Sequence, residues 1–181
     1  MLSLGTIAPD FTLRNVVDDK NVSLKDFVDA EALLVVFTAN HCPYAIHAMP
    51  EILRIAKDYA EKDLQVVAIS SNDVQTHPDD GPDKMKELAE RENYPFPYLY
   101  DETQDIARSY TAACTPDLFL FDRDRKLVYR GQLDDSRPGS EIAPDGRSLR
   151  EALDQMLAGE EITVEQKPSV GCSIKWKNQE S

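Results

Sequence analysis

Apolar positions divide the chain into elements. Leu33 to Phe37 (LLVVF) is an unbroken apolar run rich in β-branched residues, the pattern of a strand buried on both faces. The period then changes. Ile46, Met49, Leu53, Ala56 and Ala60 recur at spacings of three and four, which predicts a helix of about five turns with those residues on its inner face. Leu64 to Ser70 (LQVVAIS) reads as a second buried strand. Strand, helix and strand make a βαβ unit, which requires parallel pairing and a right-handed crossover.

The flanks are read in the same way. In Gly5–Leu13, Phe11 and Leu13 are alternate positions of a short strand, and Asp18, Asp19 and Asn21 suggest a hairpin turn before Val22. Ser23 to Asp26 has the form of a capping box opening a helical turn through Phe27. Asn72 to Asp83 is acidic and broken by Pro78, Gly81 and Pro82; its carboxylates match no EF-hand spacing, so it reads as a solvated loop. Pro82 then suits the first turn of a helix through Met85, Leu88 and Ala89, and Asp101 with Gln104 caps a short helix to Tyr110. Leu118–Phe121 and Leu127–Tyr129 form an antiparallel hairpin, and Ser148–Leu157 is a final helix stopped at Gly159. The expected order is hairpin, βαβ, helix, short helix, hairpin, helix.

Composition narrows the function classes. A chain of 181 residues, 41% hydrophobic and 29% charged, suits one domain over residues 1–159 with a tail over 160–181. The balance of 20 basic to 33 acidic residues, net charge −13, repels phosphate backbones and anionic lipid headgroups, so neither nucleic acid nor membrane is an expected partner. The N-terminal MLSLGTIAPDF lacks the basic and apolar regions of a signal peptide, and a cytosolic protein is expected. Three widely spaced cysteines do not make a disulfide framework; in a reducing compartment they read as catalytic, redox-sensing or inert thiols.

One of them has a charged setting. Cys42 precedes Pro43 at the junction of the first buried strand with its helix, where unpaired backbone N–H groups and the helix dipole favour a thiolate. The alternative is a small buried hydrophobe, the fate of most free cysteines.

With these motifs in place the chain resembles the thioredoxin fold, with the N-terminal extension of peroxiredoxins and TlpA-like proteins. GTIAPDFTL resembles the opening of the alkyl hydroperoxide reductase/thiol-specific antioxidant family, Cys42 stands where that family's nucleophile stands, and Pro50 follows eight residues later as in thioredoxins. Thr115-Pro116 is similar to the family's cis-proline facing the nucleophile, and the tail around Cys172 resembles the GCxIKW ending of a subgroup. The resemblance implies an α/β fold, a mixed sheet flanked by helices with an N-terminal β-hairpin extension. It also implies a thiol-disulfide reductase or peroxiredoxin-like peroxidase acting on a disulfide or peroxide with a thiol reductant, and no metal or organic cofactor. Two positions depart from the family: Ala45 replaces the second cysteine of CxxC, and Ala39 stands where peroxiredoxins carry a threonine.

The candidate site therefore comprises Cys42, Thr115, Pro116 and four further residues. His41, beside Cys42, would favour the thiolate as a cation, unless its ring points away. Arg137, in the loop before the last helix, could steady a thiolate or pair with Asp134 or Asp135. Cys172, on a tail that either moves or is anchored with Trp176 against the domain, and Cys114, near the proline unless its side chain turns into the core, are the alternative resolving thiols, with an external thiol as the third route. The rival class is an interaction module that keeps the fold without the chemistry.

Overall fold

The computed structural model describes residues 2–177. Its strands are β1 (Thr12–Asn15), β2 (Asn21–Ser23), β3 (Ala32–Phe37), β4 (Leu64–Ser70), β5 (Tyr98–Tyr100), β6 (Cys114–Thr115), β7 (Asp117–Phe121), β8 (Leu127–Gly131) and β9 (Cys172–Ser173). Its helices are α1 (Pro43–Asp58), α2 (Pro82–Arg91), α3 (Asp105–Ser109) and α4 (Arg147–Leu157). Seven strands form one mixed sheet in the order β2-β1-β5-β4-β3-β7-β8, and β6 pairs with β9 in a separate two-stranded ribbon.

The unbroken apolar run of β3 is explained by its central place. Leu34 and Val36 face a core closed by α1, α2 and α4, while Leu33, Val35 and Phe37 face a second core closed by α3 and the N-terminal segment. β3 and β4 pair in parallel, Val35 opposite Val67, as the βαβ reading requires. The N-terminal hairpin is not a detached extension, because β1 also pairs with β5 and so continues the main sheet. Ser23 and Asp26 form the expected cap, the Ser23 N–H donating to Asp26 Oδ2 at 2.8 Å.

Two expectations need correction. The inner face of α1 carries Ala45, Ala48, Met49, Ile52 and Ile55, whereas Ile46 is 57% exposed and Ala60 lies outside the helix. The stripe one residue earlier wins, about 100° around the helix, because its two alanines let the backbone approach the sheet. The acidic loop is also not simply solvated. Asn72, Asp73 and Asp80 are buried, because the Asn72 and Asp80 side chains and the Asp73 N–H make hydrogen bonds that tie the loop to the start of α1 and to the tail.

Candidate active site

Cys42 ends the loop after β3 in extended conformation and is the residue before the first turn of α1, with Pro43 at the first helical position. Proline suits that place, since its missing N–H would have no intrahelical partner. The thiol is fully buried among Ala39, Tyr44, Ala45 and Cys172. Its Sγ lies 3.3 Å from the Thr115 carbonyl oxygen, and the Thr115–Pro116 peptide bond is cis.

The second sulfur arrives from 130 residues away. Cys172 Sγ is 2.7 Å from Cys42 Sγ, and no disulfide joins them. β9 places it there by pairing antiparallel with β6, Cys172 opposite Thr115 and Ser173 opposite Cys114. The tail is fastened on both sides of this ribbon. Upstream, Gln132 donates its N–H to the Lys167 carbonyl at 2.8 Å and Ser169 Oγ donates to the Gly131 carbonyl at 2.7 Å. Downstream, Ile174 is buried in the second core, and the Lys175 N–H and carbonyl are held by Asn72 Oδ1 and the Asp73 N–H, each at 2.8 Å. Of the two readings of the tail, the anchored one describes the structure, because its backbone finds partners on three body segments.

Electrostatics separates the three thiols. Burial alone would push Cys42 up, but the hydrogen bond from the Cys172 thiol, with backbone N–H bonds from Ala45 and Cys172, outweighs it and holds the thiol below its ordinary value. Cys172 is shifted the opposite way, raised first by burial and then by its bond to Cys42. Cys114 is pushed up to about 12 by burial and the neighbouring Asp117, and its Sγ sits near the Pro116 and Ser169 carbonyl oxygens rather than near another sulfur.

The remaining candidates stand apart from the sulfurs. The His41 ring points to Asp80, Nδ1 lying 2.5 Å from Oδ2, and stacks on His77 with centroids 5.2 Å apart. Among the described residues Arg137 neither reaches Cys42 nor pairs with a carboxylate. Its guanidinium donates to the Asp134 and Ser136 carbonyls and to Gln132 Oε1, because the loop turns its carbonyls inward around it.

Sequence reasoning missed Asp80, which accepts from the Asn40 and Asn72 side of the site and fixes the chain entering Cys42. It also missed Asn72 and Gln104, the clamps on Lys175, and a chain in which His47 Nε2 meets Ser136 Oγ at 2.8 Å and Ser136 Oγ donates to buried Asp134. None of these had a spacing signal; each is polar in a polar stretch until the fold buries it.

Residues 4–130 match the AhpC/TSA family. The chain belongs to that family. The matched span contains Cys42 and Cys114 and ends before Cys172. Thiol-disulfide oxidoreductase ResA of Bacillus thuringiensis subsp. konkukian is 23% identical over 127 residues, covering 70% of this chain and 68% of that protein. An uncharacterized conserved protein from Geobacillus kaustophilus has a structure similar to this AhpC/TSA chain, with a TM-score of 0.96 and 52% identity over 99% of this chain and 95% of that one. A putative thiol:disulfide interchange protein DsbE from Chlorobium tepidum superposes with a TM-score of 0.67 at 27% identity, covering 87% of this chain and 99% of that one. The architecture is a thioredoxin fold. Among the described residues no helix is long and apolar enough to cross a membrane.

Proposed function

We propose that this AhpC/TSA protein is a thiol-disulfide oxidoreductase whose redox couple is split between the start of α1 and the C-terminal strand, with Cys42 as nucleophile and Cys172 as resolving thiol. The observation that carries the reading is the 2.7 Å separation of the two sulfurs. The opposed shifts of the two thiols support the division of roles, the lowered one attacking and the raised one protonated until the second step.

Cys42 thiolate attacks one sulfur of a substrate disulfide; that bond breaks, the first substrate thiolate leaves and takes a proton, and a mixed disulfide forms. Cys172 loses its proton and attacks the Cys42 sulfur, expelling the second substrate thiolate. The substrate gains two electrons and the protein keeps a Cys42–Cys172 disulfide, which an external thiol reductant opens. Cys114 takes no part, since its thiol is held protonated and bonded to carbonyls. Thr115 and Pro116 wall the site, His41 acts through Asp80 on the backbone entering Cys42, and Arg137 shapes the neighbouring loop.

A peroxide would enter the same cycle by leaving a sulfenic acid on Cys42 that Cys172 resolves with loss of water. A disulfide is favoured as oxidant because Ala39 offers no hydroxyl where peroxiredoxins carry a threonine, and Arg137 is committed to carbonyls. The three unbonded cysteines suit a reducing compartment, the cytosol.

The test is treatment of reduced protein with one equivalent of hydroxyethyl disulfide, with hydrogen peroxide in a parallel arm, followed by disulfide mapping by mass spectrometry. Wild type is expected to yield Cys42–Cys172 without adduct, Cys172→Ser to retain the adduct on Cys42, and Cys42→Ser to yield neither. An adduct or disulfide on Cys114 in the wild type would overturn the assignment.

A further inference from the structure

A cavity of about 510 Å³ lies beside β6, bounded by Ala113, Cys114, Asp117, Arg130, Pro168 and Trp176 among others. That volume is in the range of small-molecule sites. Its walls belong partly to the body and partly to the tail that carries Cys172.

Arg130 distinguishes this cavity. Every other arginine among the described residues meets a carboxylate, a carbonyl or an aromatic ring, as Arg54 meets Glu51, Arg137 meets Asp134 and Arg108 covers Trp176. The Arg130 Nε is buried without an acceptor, and among the described residues no carboxylate pairs with its guanidinium. In a chain with 33 acidic side chains against 20 basic ones, a guanidinium that no described carboxylate claims is open to an anion from solution. A planar fork of donors is matched best by carboxylate or phosphate.

Two other walls narrow the choice. Trp176 is 40% exposed, with the Arg108 guanidinium 4.9 Å from its ring centroid, so the indole is held in place and still presents apolar surface. A planar ring stacks on such a surface. Asp117, whose carboxyl accepts the Ala113 N–H at 3.0 Å and is pushed up by burial, disfavours a dianion and offers an acceptor to a hydroxyl or amino group.

We infer that this cavity binds a small planar monocarboxylate carrying one hydrogen-bond donor, its carboxylate on Arg130 and its ring against Trp176. The inference does not depend on the chemistry of Cys42. Because Pro168, Ser169 and Trp176 are tail residues, the bound molecule bridges body and tail and holds the strand bearing Cys172 in place.

Trp176 is the chain's one tryptophan, so its emission reports on the site. The probe is 4-hydroxybenzoate, titrated into the full reduced chain by calorimetry and Trp176 emission, with 4-hydroxybenzyl alcohol and inorganic phosphate as comparators. One-to-one binding of 4-hydroxybenzoate is expected, with none of the alcohol, no competition by phosphate, and slower alkylation of Cys172 at saturation. Arg130→Gln should weaken binding roughly 10- to 100-fold. Arg130→Lys keeps the charge and loses the fork, and should fall between. Absence of binding at millimolar probe, equal binding by the alcohol, displacement by phosphate, or unchanged affinity in either variant overturns the site. Binding that leaves the Cys172 alkylation rate unchanged overturns the bridging of body and tail.

Discussion

Gly171 passes so close to Thr115 that a Cβ on it would lie 2.0 Å from the Thr115 carbonyl oxygen. That same oxygen is 3.3 Å from Cys42 Sγ, so one carbonyl touches the tail on one side and the Cys42 sulfur on the other. The absence of a side chain at residue 171 is what allows β9 to lie against β6 and deliver the next residue, Cys172, to the sulfur of Cys42.

Gly171→Ala should therefore unseat the ribbon while sparing the main sheet. The Cys42–Cys172 disulfide is expected to form on the order of tenfold or more slowly under one equivalent of oxidant, since the effective concentration of Cys172 at Cys42 falls. Quenched-flow alkylation followed by mass spectrometry checks this, and far-ultraviolet circular dichroism should remain that of the wild type. An unchanged rate would mean that the tail tolerates the methyl group and that the contact does not position Cys172.

Alkylation against pH should separate the thiols. Cys42 is held below the ordinary thiol value, so its thiolate persists as pH falls through the range near 8.5 where a free cysteine protonates. Cys114, pushed up to about 12, should stay unreactive across the same range. The sign for stability follows. A buried thiol that keeps its proton while the unfolded chain releases one loses stability as pH rises above the unfolded value. Cys114→Ala should flatten the alkaline fall in urea midpoint, and a slope unchanged by that substitution would count against the raised value.

The parts of the molecule visible in the sequence are those set by local pattern. β4 spans Leu64–Ser70 as read, β3 needs one residue added, and Cys42 stands before the first turn of α1 because Pro43 marks that turn. The tail was legible as a cysteine after a glycine in a segment resembling a family subgroup's ending, but not in where it docks. β9 has two residues, too few for a period, and its partners lie on β6 and in the acidic loop. Asp80 was hidden for the same reason, since burial of a carboxylate in an acidic loop follows from a contact with Asn40 forty residues away. His41 was placed beside Cys42 by sequence and turned toward Asp80 by the fold.

Asp80 should be a stability determinant with a local readout. Its carboxylate accepts the Asn40 N–H at 2.8 Å and the Asn72 amide at 2.9 Å, and meets the His41 ring, all while fully buried. Asp80→Ala leaves those donors without an acceptor and is expected to cost about 2–4 kcal/mol in urea unfolding. It should also slow Cys42 alkylation at neutral pH, because the chain entering α1 loses its anchor. A loss below about 1 kcal/mol would show that water replaces the carboxylate.

The docking of the tail rests on one apolar side chain more than on any single hydrogen bond. Ile174 is 3% exposed and packs in the second core, whereas its neighbours Ser173 and Lys175 are held by backbone partners that survive substitution of their side chains. Ile174→Ala removes buried apolar atoms and, by the usual range for such deletions, should cost about 2–5 kcal/mol. That loss acts on a segment that can detach without unfolding the sheet, so it should appear mainly as local opening. Since about 1.4 kcal/mol is tenfold in an equilibrium, the rate at which Cys172 is alkylated through the opened state should rise at least tenfold, while the denaturant slope of global unfolding is unchanged. The wild-type measurement under the same conditions sets the reference. If Ile174→Ala instead lowers the global midpoint and leaves Cys172 alkylation at the wild-type rate, the tail unfolds with the domain and is not a separable strap.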